Sequence, residues 1–175
     1  MKSMINSLLA TIAVFILMTY MEIEITKGDE NVKDVSVTST YYINSPPCVQ
    51  LSIAIDKYSK EYGIPRKYAY GVAHEETGYT GMLHWNYDHA QTSSVGAVGP
   101  MQVMYATAKG LFPDLEFTKE DLRTDIDFNV KCSMKLLKEL HDSNDDWKKT
   151  FGAYNTGKHI VNDYAINVYN YGFDI

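Results

Sequence analysis

The sequence predicts a mostly α-helical domain preceded by one apolar N-terminal segment. From residue 48 onward, apolar side chains recur at helical spacing, and no stretch shows the sustained period-two alternation of a half-buried strand. A separate uncharged apolar run lies near the start of the chain. At 175 residues, of which 45% are hydrophobic, the chain is long enough for one ordinary domain and too short for two.

Composition excludes several classes of protein. The 16 basic and 22 acidic side chains give a net charge of −6, opposite in sign to what binding a phosphate backbone requires, so we expect no nucleic-acid partner. Two cysteines, Cys48 and Cys132, are too few for a disulfide-dense miniprotein or a four-cysteine zinc site. They leave a single disulfide pairing open.

Residues 4 to 21 form the apolar run and predict a membrane span. They carry no charge, and their 18 residues fall within the roughly 17 to 25 that cross a bilayer as a helix. Lys2 precedes the run and Glu22 follows it, an order that sends the rest of the chain across the membrane. We predict a transmembrane signal anchor over residues 1 to 21, with the N-terminus cytoplasmic and the domain on the opposite side of the membrane. The alternative is a cleaved signal peptide, although the end of the run lacks the small residues of a cleavage site.

Residues 22 to 47 predict a polar tether. This stretch shows no sustained periodicity, contains a Ser/Thr-rich run at residues 36 to 40 and ends at Pro46 and Pro47. The helical domain is therefore predicted over residues 48 to 175.

The first two helices of the domain follow from apolar spacing and from the break between them. Gly63, followed by Ile64 and Pro65, is typical of one helix ending and another beginning. The apolar stripe of the first helix consists of Val49, Ile53, Ile55, Tyr58 and Tyr62.

Glu76 lies on the apolar face of the second helix. Its carboxyl follows small apolar residues at i, i+3 and i+4, so the side chain is held against an apolar surface. Burial disfavours the charged form, which raises the pKa and makes the carboxyl a candidate general acid. Glu75 is about 100° further round the helix and is predicted to face solvent. The apolar residues before Glu76 are Ala69, Val72 and Ala73.

Further helices are predicted downstream of a loop over residues 79 to 98. Pro100 would sit well in the first turn of a third helix. Two Thr-x-x-Asp sequences, at residues 118 to 121 and 124 to 127, resemble capping boxes, and the second is expected to open a long helix. Two more helices follow, separated by a break at residues 155 to 157.

Four segments resemble the motifs of the soluble lytic transglycosylase family. Each segment is short and weak as evidence, but four in the same order are fairly specific. The resemblance covers about residues 48 to 171 and implies the lysozyme-like helical fold that this family shares with goose lysozyme. The segments are ETGY at residues 76 to 79, GAVGPMQVM at 96 to 104, the stretch from 125 to 137, and AYNTG at 153 to 157.

The resemblance implies roles for six residues. Glu76 matches the family's catalytic acid and base, and the Tyr-Asn pair of AYNTG matches residues that pack beside the catalytic carboxyl. Substrate-binding roles are implied for Thr77, Met101, Gln102, Tyr154 and Asn155.

The implied activity is cleavage of peptidoglycan between N-acetylmuramic acid (MurNAc) and N-acetylglucosamine (GlcNAc), without water and without a cofactor. A site with one convincing carboxylate fits this reaction, because most glycoside hydrolases need a second. Two alternatives stay open: a hydrolytic muramidase assisted by Asp88 or another acidic residue of the loop, and a non-catalytic wall-binding or assembly protein on the same fold. The expected partners are peptidoglycan strands and the membrane, within a secretion, conjugation or virion assembly. The expected location of the domain is the periplasmic side of a membrane or the membrane of a phage particle.

Aromatic side chains are candidates for stacking on sugars. Trp85 and Tyr87 lie in an insertion relative to the family, at residues 81 to 91, and would offer such surfaces. The alternative is a loop anchored by its own aromatic residues. Helical spacing assigns Tyr58 and Tyr164 to the core instead.

The histidines and cysteines suggest no metal site but leave a disulfide open. In an oxidising compartment Cys48 and Cys132 would pair, as the resemblance to relatives in secretion systems implies, and the alternative is two isolated thiols. We expect no metal ion, because a zinc site needs a complete ligand set. Such a set is not provided by His84, Asp88 and His89.

Overall fold

The computed structural model describes residues 44 to 172, which form a helical domain whose only β-structure is two isolated antiparallel bridges. The mostly helical prediction is confirmed. None of the described helices is long and apolar enough to cross a membrane. The predicted anchor and most of the tether lie outside the described residues. The helices are α1 (Pro47–Tyr62), α2 (Arg66–Thr77), α3 (Tyr105–Leu111), α4 (Lys119–Thr124), α5 (Ile126–Asp142), α6 (Trp147–Thr156) and α7 (Asp163–Asn170).

Helices α1 and α5 form the centre of the core. Proline in the first turn starts α1, and Gly63 ends it in the left-handed conformation, with φ of 68°. Ile53, which was predicted to belong to the apolar stripe, is 37% exposed instead. The buried face of α1 includes Leu51, Ala54, Ile55 and Tyr58, and that of α5 includes Val130, Met134 and Leu137.

The third helix begins later than predicted, at Tyr105 rather than near Pro100. Gly99 and Gln102 both have positive φ, 78° and 48°, which a right-handed helix excludes. Residues 92 to 103 form turns joined by the two bridges. A Cβ atom at Gly99 would lie 2.3 Å from Asn129 Nδ2, so both the backbone angle and the available space require glycine there.

One of the two predicted capping boxes is confirmed. Thr118 Oγ1 accepts a hydrogen bond from Asp121 N, and Asp121 Oδ2 accepts one from Thr118 N, at 3.1 and 2.7 Å. The box predicted at residues 124 to 127 is wrong. Helix α5 begins one residue later, and Asp125 caps it by accepting from Phe128 N at 3.0 Å.

Helix α7 lies against both α2 and α6, and two glycines permit the close approach. A Cβ atom at Gly71 of α2 would lie 3.0 Å from the carbonyl oxygen of Val168. A Cβ atom at Gly152 of α6 would lie 1.7 Å from the carbonyl oxygen of Ile160, just before α7. These contacts bring α7 over the end of α2 that carries Glu76.

The predicted disulfide is absent from the structure, since Cys48 and Cys132 are both free and buried. Cys48 Sγ–H donates to the carbonyl oxygen of Met82 at 3.2 Å. Tyr58, ten residues further along α1, donates to Asp127 near the start of α5. Cys132 lies near Tyr62 at the C-terminal end of α1, where, in addition to burial, it contributes to raising the pKa of that tyrosine, whereas Cys48 lies in the first turn, about 20 Å away along the helix. Burial raises the pKa of the Cys132 thiol to about 12.

Candidate active site

Glu76 lies in the last turn of α2, one residue before the helix ends. Gly78 closes the helix with φ of 70°, a left-handed angle that favours glycine. The Glu76 side chain is half-buried, and burial raises the pKa of its carboxyl from 4.5 to about 7. A hydrogen bond from Tyr164 acts in the opposite direction, and the negative charge of Glu75 adds to the increase. The carboxyl is therefore poised to hold a proton near neutral pH.

Tyr164 is the direct partner of this carboxyl. Its hydroxyl, presented by α7, donates to Glu76 Oε1 at 2.6 Å. Burial and the nearby Glu76 charge raise the pKa of Tyr164 well above 10, so the hydroxyl keeps its proton. The assignment of Tyr164 to the core was incomplete, because helical spacing cannot distinguish a tyrosine whose hydroxyl meets a carboxyl from one that only fills space.

Tyr154 lies close enough for the charge of Glu76 to raise its pKa, but its hydroxyl has other partners. It donates to the carbonyl oxygen of Met101 at 2.7 Å, and it lies 2.9 Å from Ser133 Oγ. Tyr154 thus connects α6 with α5 and with the turn that contains Met101. The structure shows it supporting the surroundings of Glu76 rather than touching the carboxyl.

Two residues that the family resemblance assigned to substrate binding face inward. The Met101 side chain is fully buried, so its predicted contact with a glycan strand is wrong for this conformation. Thr77 Oγ1 lies 2.7 Å from Tyr87 Oη and 2.9 Å from the carbonyl oxygen of Pro100. Its hydroxyl ties α2 to the following loop.

Gln102 and Asn155 remain accessible. Gln102 is half-buried, and its Nε2 donates to the carbonyl oxygen of Gly99 at 2.9 Å. Asn155 is exposed at the end of α6, where its Oδ1 accepts from Asn162 Nδ2 at 3.0 Å. Each amide retains hydrogen-bonding capacity beyond these contacts. Their binding of substrate stays a prediction.

The two aromatic residues proposed for sugar stacking differ in exposure. Trp85 is 45% exposed and offers a ring face to solvent. Tyr87 is 6% exposed, bonds to Thr77 and packs against Tyr79 with ring centroids 5.1 Å apart. The stacking prediction is therefore wrong for Tyr87, which anchors the loop from inside.

Asn129 supports the turn beside the site, and the sequence reasoning missed it. This residue of α5 is fully buried, and its Nδ2 donates to the carbonyl oxygens of Val98 and Leu122, both at 2.9 Å. Its Oδ1 accepts from Met101 N at 3.0 Å. The available signal was a lone amide on the apolar face of a long helix, because such a group needs partners when buried.

The sequence model of the Transglycosylase SLT domain family matches residues 53 to 174. This chain belongs to that family. Its fold also resembles the crystal structure of an inactive mutant of lytic transglycosylase Slt from Pseudomonas aeruginosa, with a TM-score of 0.56 and 20% sequence identity. The match covers 68% of this chain and 22% of that one, so the chain spans about a fifth of the solved relative. A comparison with curated proteins found no match.

Two further acidic side chains, Asp88 and Glu75, form hydrogen bonds to groups other than Glu76. Asp88 Oδ1 accepts from Ala90 N at 2.9 Å and so stabilises its own loop. Glu75 Oε2 accepts from Asn167 Nδ2 at 3.2 Å. Residues 44 to 172 contain no cluster of three or more His, Cys, Asp or Glu that could hold a metal ion.

Proposed function

We propose that this SLT-domain protein is a peptidoglycan lytic transglycosylase. It cleaves the β-1,4 bond between MurNAc and GlcNAc and leaves a 1,6-anhydroMurNAc end. Membership of the family supports the general activity. The observation that carries the proposal is the half-buried Glu76 carboxyl, whose pKa of about 7 suits a group that must both give and take a proton near neutral pH.

Glu76 acts first as an acid and then as a base. Its proton passes to the glycosidic oxygen as the bond to C1 of MurNAc breaks. The C6 hydroxyl of the same sugar then attacks C1, and the Glu76 carboxylate accepts the proton of that hydroxyl. The Tyr164 hydrogen bond stabilises the carboxylate between the two transfers, because it favours the charged form.

The arrangement of carboxylates supports a reaction without water. Retaining glycosidases place two carboxyl groups about 5 Å apart, and inverting enzymes place them further apart around a water molecule. Among the described residues, Glu75 is the acidic group whose charge acts on Glu76, and Asn167 holds it on the α7 side. Asp88, the helper of the hydrolytic alternative, is bonded within its own loop.

We assign substrate contacts to those predicted site residues whose side chains are accessible. Gln102 and Asn155 would bind acetamido or hydroxyl groups of the glycan, and Trp85 would stack on a sugar ring. Thr77 and Tyr154 support the backbone around Glu76 through hydrogen bonds to the loop, and Met101 supports it through packing in the core.

Mass spectrometry of peptidoglycan digested by the full chain tests the proposal. We expect 1,6-anhydro ends, each lighter by one water than a hydrolytic end. Glu76→Gln should lower the rate at least about a hundredfold, the usual scale for loss of a general acid. Glu116→Gln, which removes an equal charge from a side chain that is 99% exposed, serves as the control and should retain activity.

Other outcomes would contradict the proposal. Reducing ends alone would identify a hydrolytic muramidase. A folded protein that binds peptidoglycan but releases no fragments would identify a wall-binding or assembly protein.

We also propose that residues 4 to 21 anchor the protein in a membrane, with the SLT domain on the periplasmic side. The support is the uncharged apolar run and the charges flanking it. Opening the wall locally for a secretion, conjugation or phage-entry machine would suit such an anchored enzyme. Fractionation should recover the full chain with membranes, and removal of residues 1 to 21 should release it; recovery of the full chain as a free protein would contradict the anchor.

A further inference from the structure

Glu75 is a second carboxylate beside the acid that the proposed mechanism does not use. The sequence predicted that it faces solvent, but the side chain is half-buried. Its Oε2 accepts a hydrogen bond from Asn167 Nδ2 at 3.2 Å. This solvent-exposed bond joins Glu75 to α7, the helix that also supplies Tyr164 to Glu76.

Two neighbouring glutamates of α2 therefore bind two side chains of α7. Tyr164 and Asn167 are three residues apart, so they lie on the same face of α7. Tyr164 binds Glu76, and Asn167 binds Glu75. The close backbone approach at Gly71 fixes the separation of the helices, because a Cβ atom there would already lie 3.0 Å from Val168.

The groups that act electrostatically on Glu76 come from three helices. Tyr164 of α7 and Tyr154 of α6 are neutral hydroxyls, since burial and the Glu76 charge raise the pKa of each. Glu75 of α2 supplies a negative charge that acts on both Glu76 and Tyr164. The contributions to the Glu76 pKa are burial, the Tyr164 hydrogen bond and the Glu75 charge, none of which is a cation.

We propose that Glu75 is a positioning residue for the reaction of Glu76. Its charge disfavours a second negative charge on Glu76, and its bond to Asn167 keeps α7 in register so that Tyr164 reaches the carboxyl. The two effects oppose each other. The charge keeps Glu76 protonated for the first step, whereas the positioned tyrosine stabilises the carboxylate needed for the second. The consequence for catalysis rests on the proposed function. The coupling, by which we mean the effect of Glu75 on the protonation of Glu76 and on the Tyr164 bond, does not.

Direct titration of Glu76 tests the coupling between Glu75 and Glu76 separately from catalysis. We would label the full chain with ¹³C at glutamate carboxyls and follow their NMR shifts with pH, assigning Glu76 as the resonance lost in Glu76→Gln. In Glu75→Gln the side chain keeps an oxygen that can accept from Asn167 but loses its charge. We expect the Glu76 midpoint to fall by about half a unit, the size expected for two charges several Å apart in a water-like dielectric.

Asn167→Ala should move the midpoint in the opposite direction. This variant keeps the charge of Glu75 but removes the tie, so the Tyr164 bond loosens and the carboxylate is less stabilised. A residue that only supports the fold would not give shifts of opposite sign in the two variants. Glu116→Gln, with the same loss of charge at an exposed site, should leave the midpoint unchanged.

The pH dependence of peptidoglycan cleavage then tests the link to catalysis. The alkaline limb of kcat/KM should move to lower pH in Glu75→Gln, by the same amount as the NMR midpoint. An unchanged midpoint in Glu75→Gln overturns the electrostatic coupling. An unchanged midpoint in Asn167→Ala overturns the proposal that the bond between Asn167 and Glu75 positions Tyr164. If the midpoints shift but the wild type cleaves no peptidoglycan, the proposed function fails while the coupling stands.

Discussion

The surroundings of Glu76 are built in two different ways on its two sides. On one side lies the acid face, which we define as Glu75 and Glu76 of α2 with Tyr164 and Asn167 of α7. On the other side lies the buttress loop, residues 79 to 104. The acid face joins two helices through side-chain bonds to carboxylates. The buttress loop is held by backbone hydrogen bonds within it and by side chains that satisfy its backbone, among them Asn129.

This difference separates chemistry from support. On the acid face, burial and charge set the protonation of Glu76, so substitutions there should change how activity and stability depend on pH. In the buttress loop, the neutral amide of Asn129 fixes the shape of a segment without regular secondary structure, so loss of that amide should lower stability equally at every pH. If the two regions are independent, a substitution in the buttress loop should leave the titration of Glu76 unchanged.

The largest effect is expected from Asn129→Ala. This substitution leaves the carbonyl oxygens of Val98 and Leu122 and the amide of Met101 without their buried partner. We expect a loss of about 3 kcal/mol or more in the free energy of unfolding, at about 1 kcal/mol or more for each group left unsatisfied. Urea denaturation at several pH values would measure it.

Asn86→Ala is the matched control for Asn129→Ala. Asn86 is an exposed amide within the buttress loop, and its removal should change stability by no more than about 0.5 kcal/mol. The loss of stability in Asn129→Ala should be the same from pH 5 to pH 8. A strong dependence on pH in this range would show that the buttress loop is coupled to the titration of Glu76 and that the two regions are not independent.

A smaller and pH-dependent effect is expected from Glu76→Gln. The pKa of Glu76 is about 7 in the folded protein and near 4.5 when unfolded, so below pH 4.5 both states are protonated. As the pH rises from 4.5 to 7, the unfolded state releases its proton first, and the wild type loses stability that the glutamine variant keeps. After allowance for partial exposure, we expect Glu76→Gln to be more stable by about 2 kcal/mol at pH 8.

Denaturation of both proteins at pH 4 and pH 8 would check this prediction. The difference between them should grow as the pH rises. A constant difference would mean that burial does not raise the pKa of Glu76, contrary to the role assigned to the acid face.

The sequence allowed the acid to be predicted but not its partner. Periodicity placed Glu76 on an apolar helix face, and from that placement a raised pKa followed. Periodicity also assigned Tyr164 to the core, since a buried hydroxyl bonded to a carboxyl has the same spacing as any core side chain. The motif resemblance located Met101 and Thr77 beside the site, but which atoms face inward depends on the turns after residue 98. Those turns depend on Asn129, about 30 residues away, so local sequence did not reveal them.

The most discriminating comparison removes one hydroxyl from each region. Tyr164→Phe deletes the bond to Glu76 Oε1, which favours the charged carboxyl, so the pKa of Glu76 should rise. At about 1.5 kcal/mol, the lower end for a hydrogen bond to a charged group, the alkaline limb of kcat/KM moves up by about one pH unit and kcat falls about tenfold. Tyr87→Phe deletes the bond to Thr77, one residue from the acid, at a cost of about 1 kcal/mol in stability. Because Thr77 still bonds Pro100, the pH profile should stay in place, and an equal shift in both variants would show that the acid face and the buttress loop act as one unit.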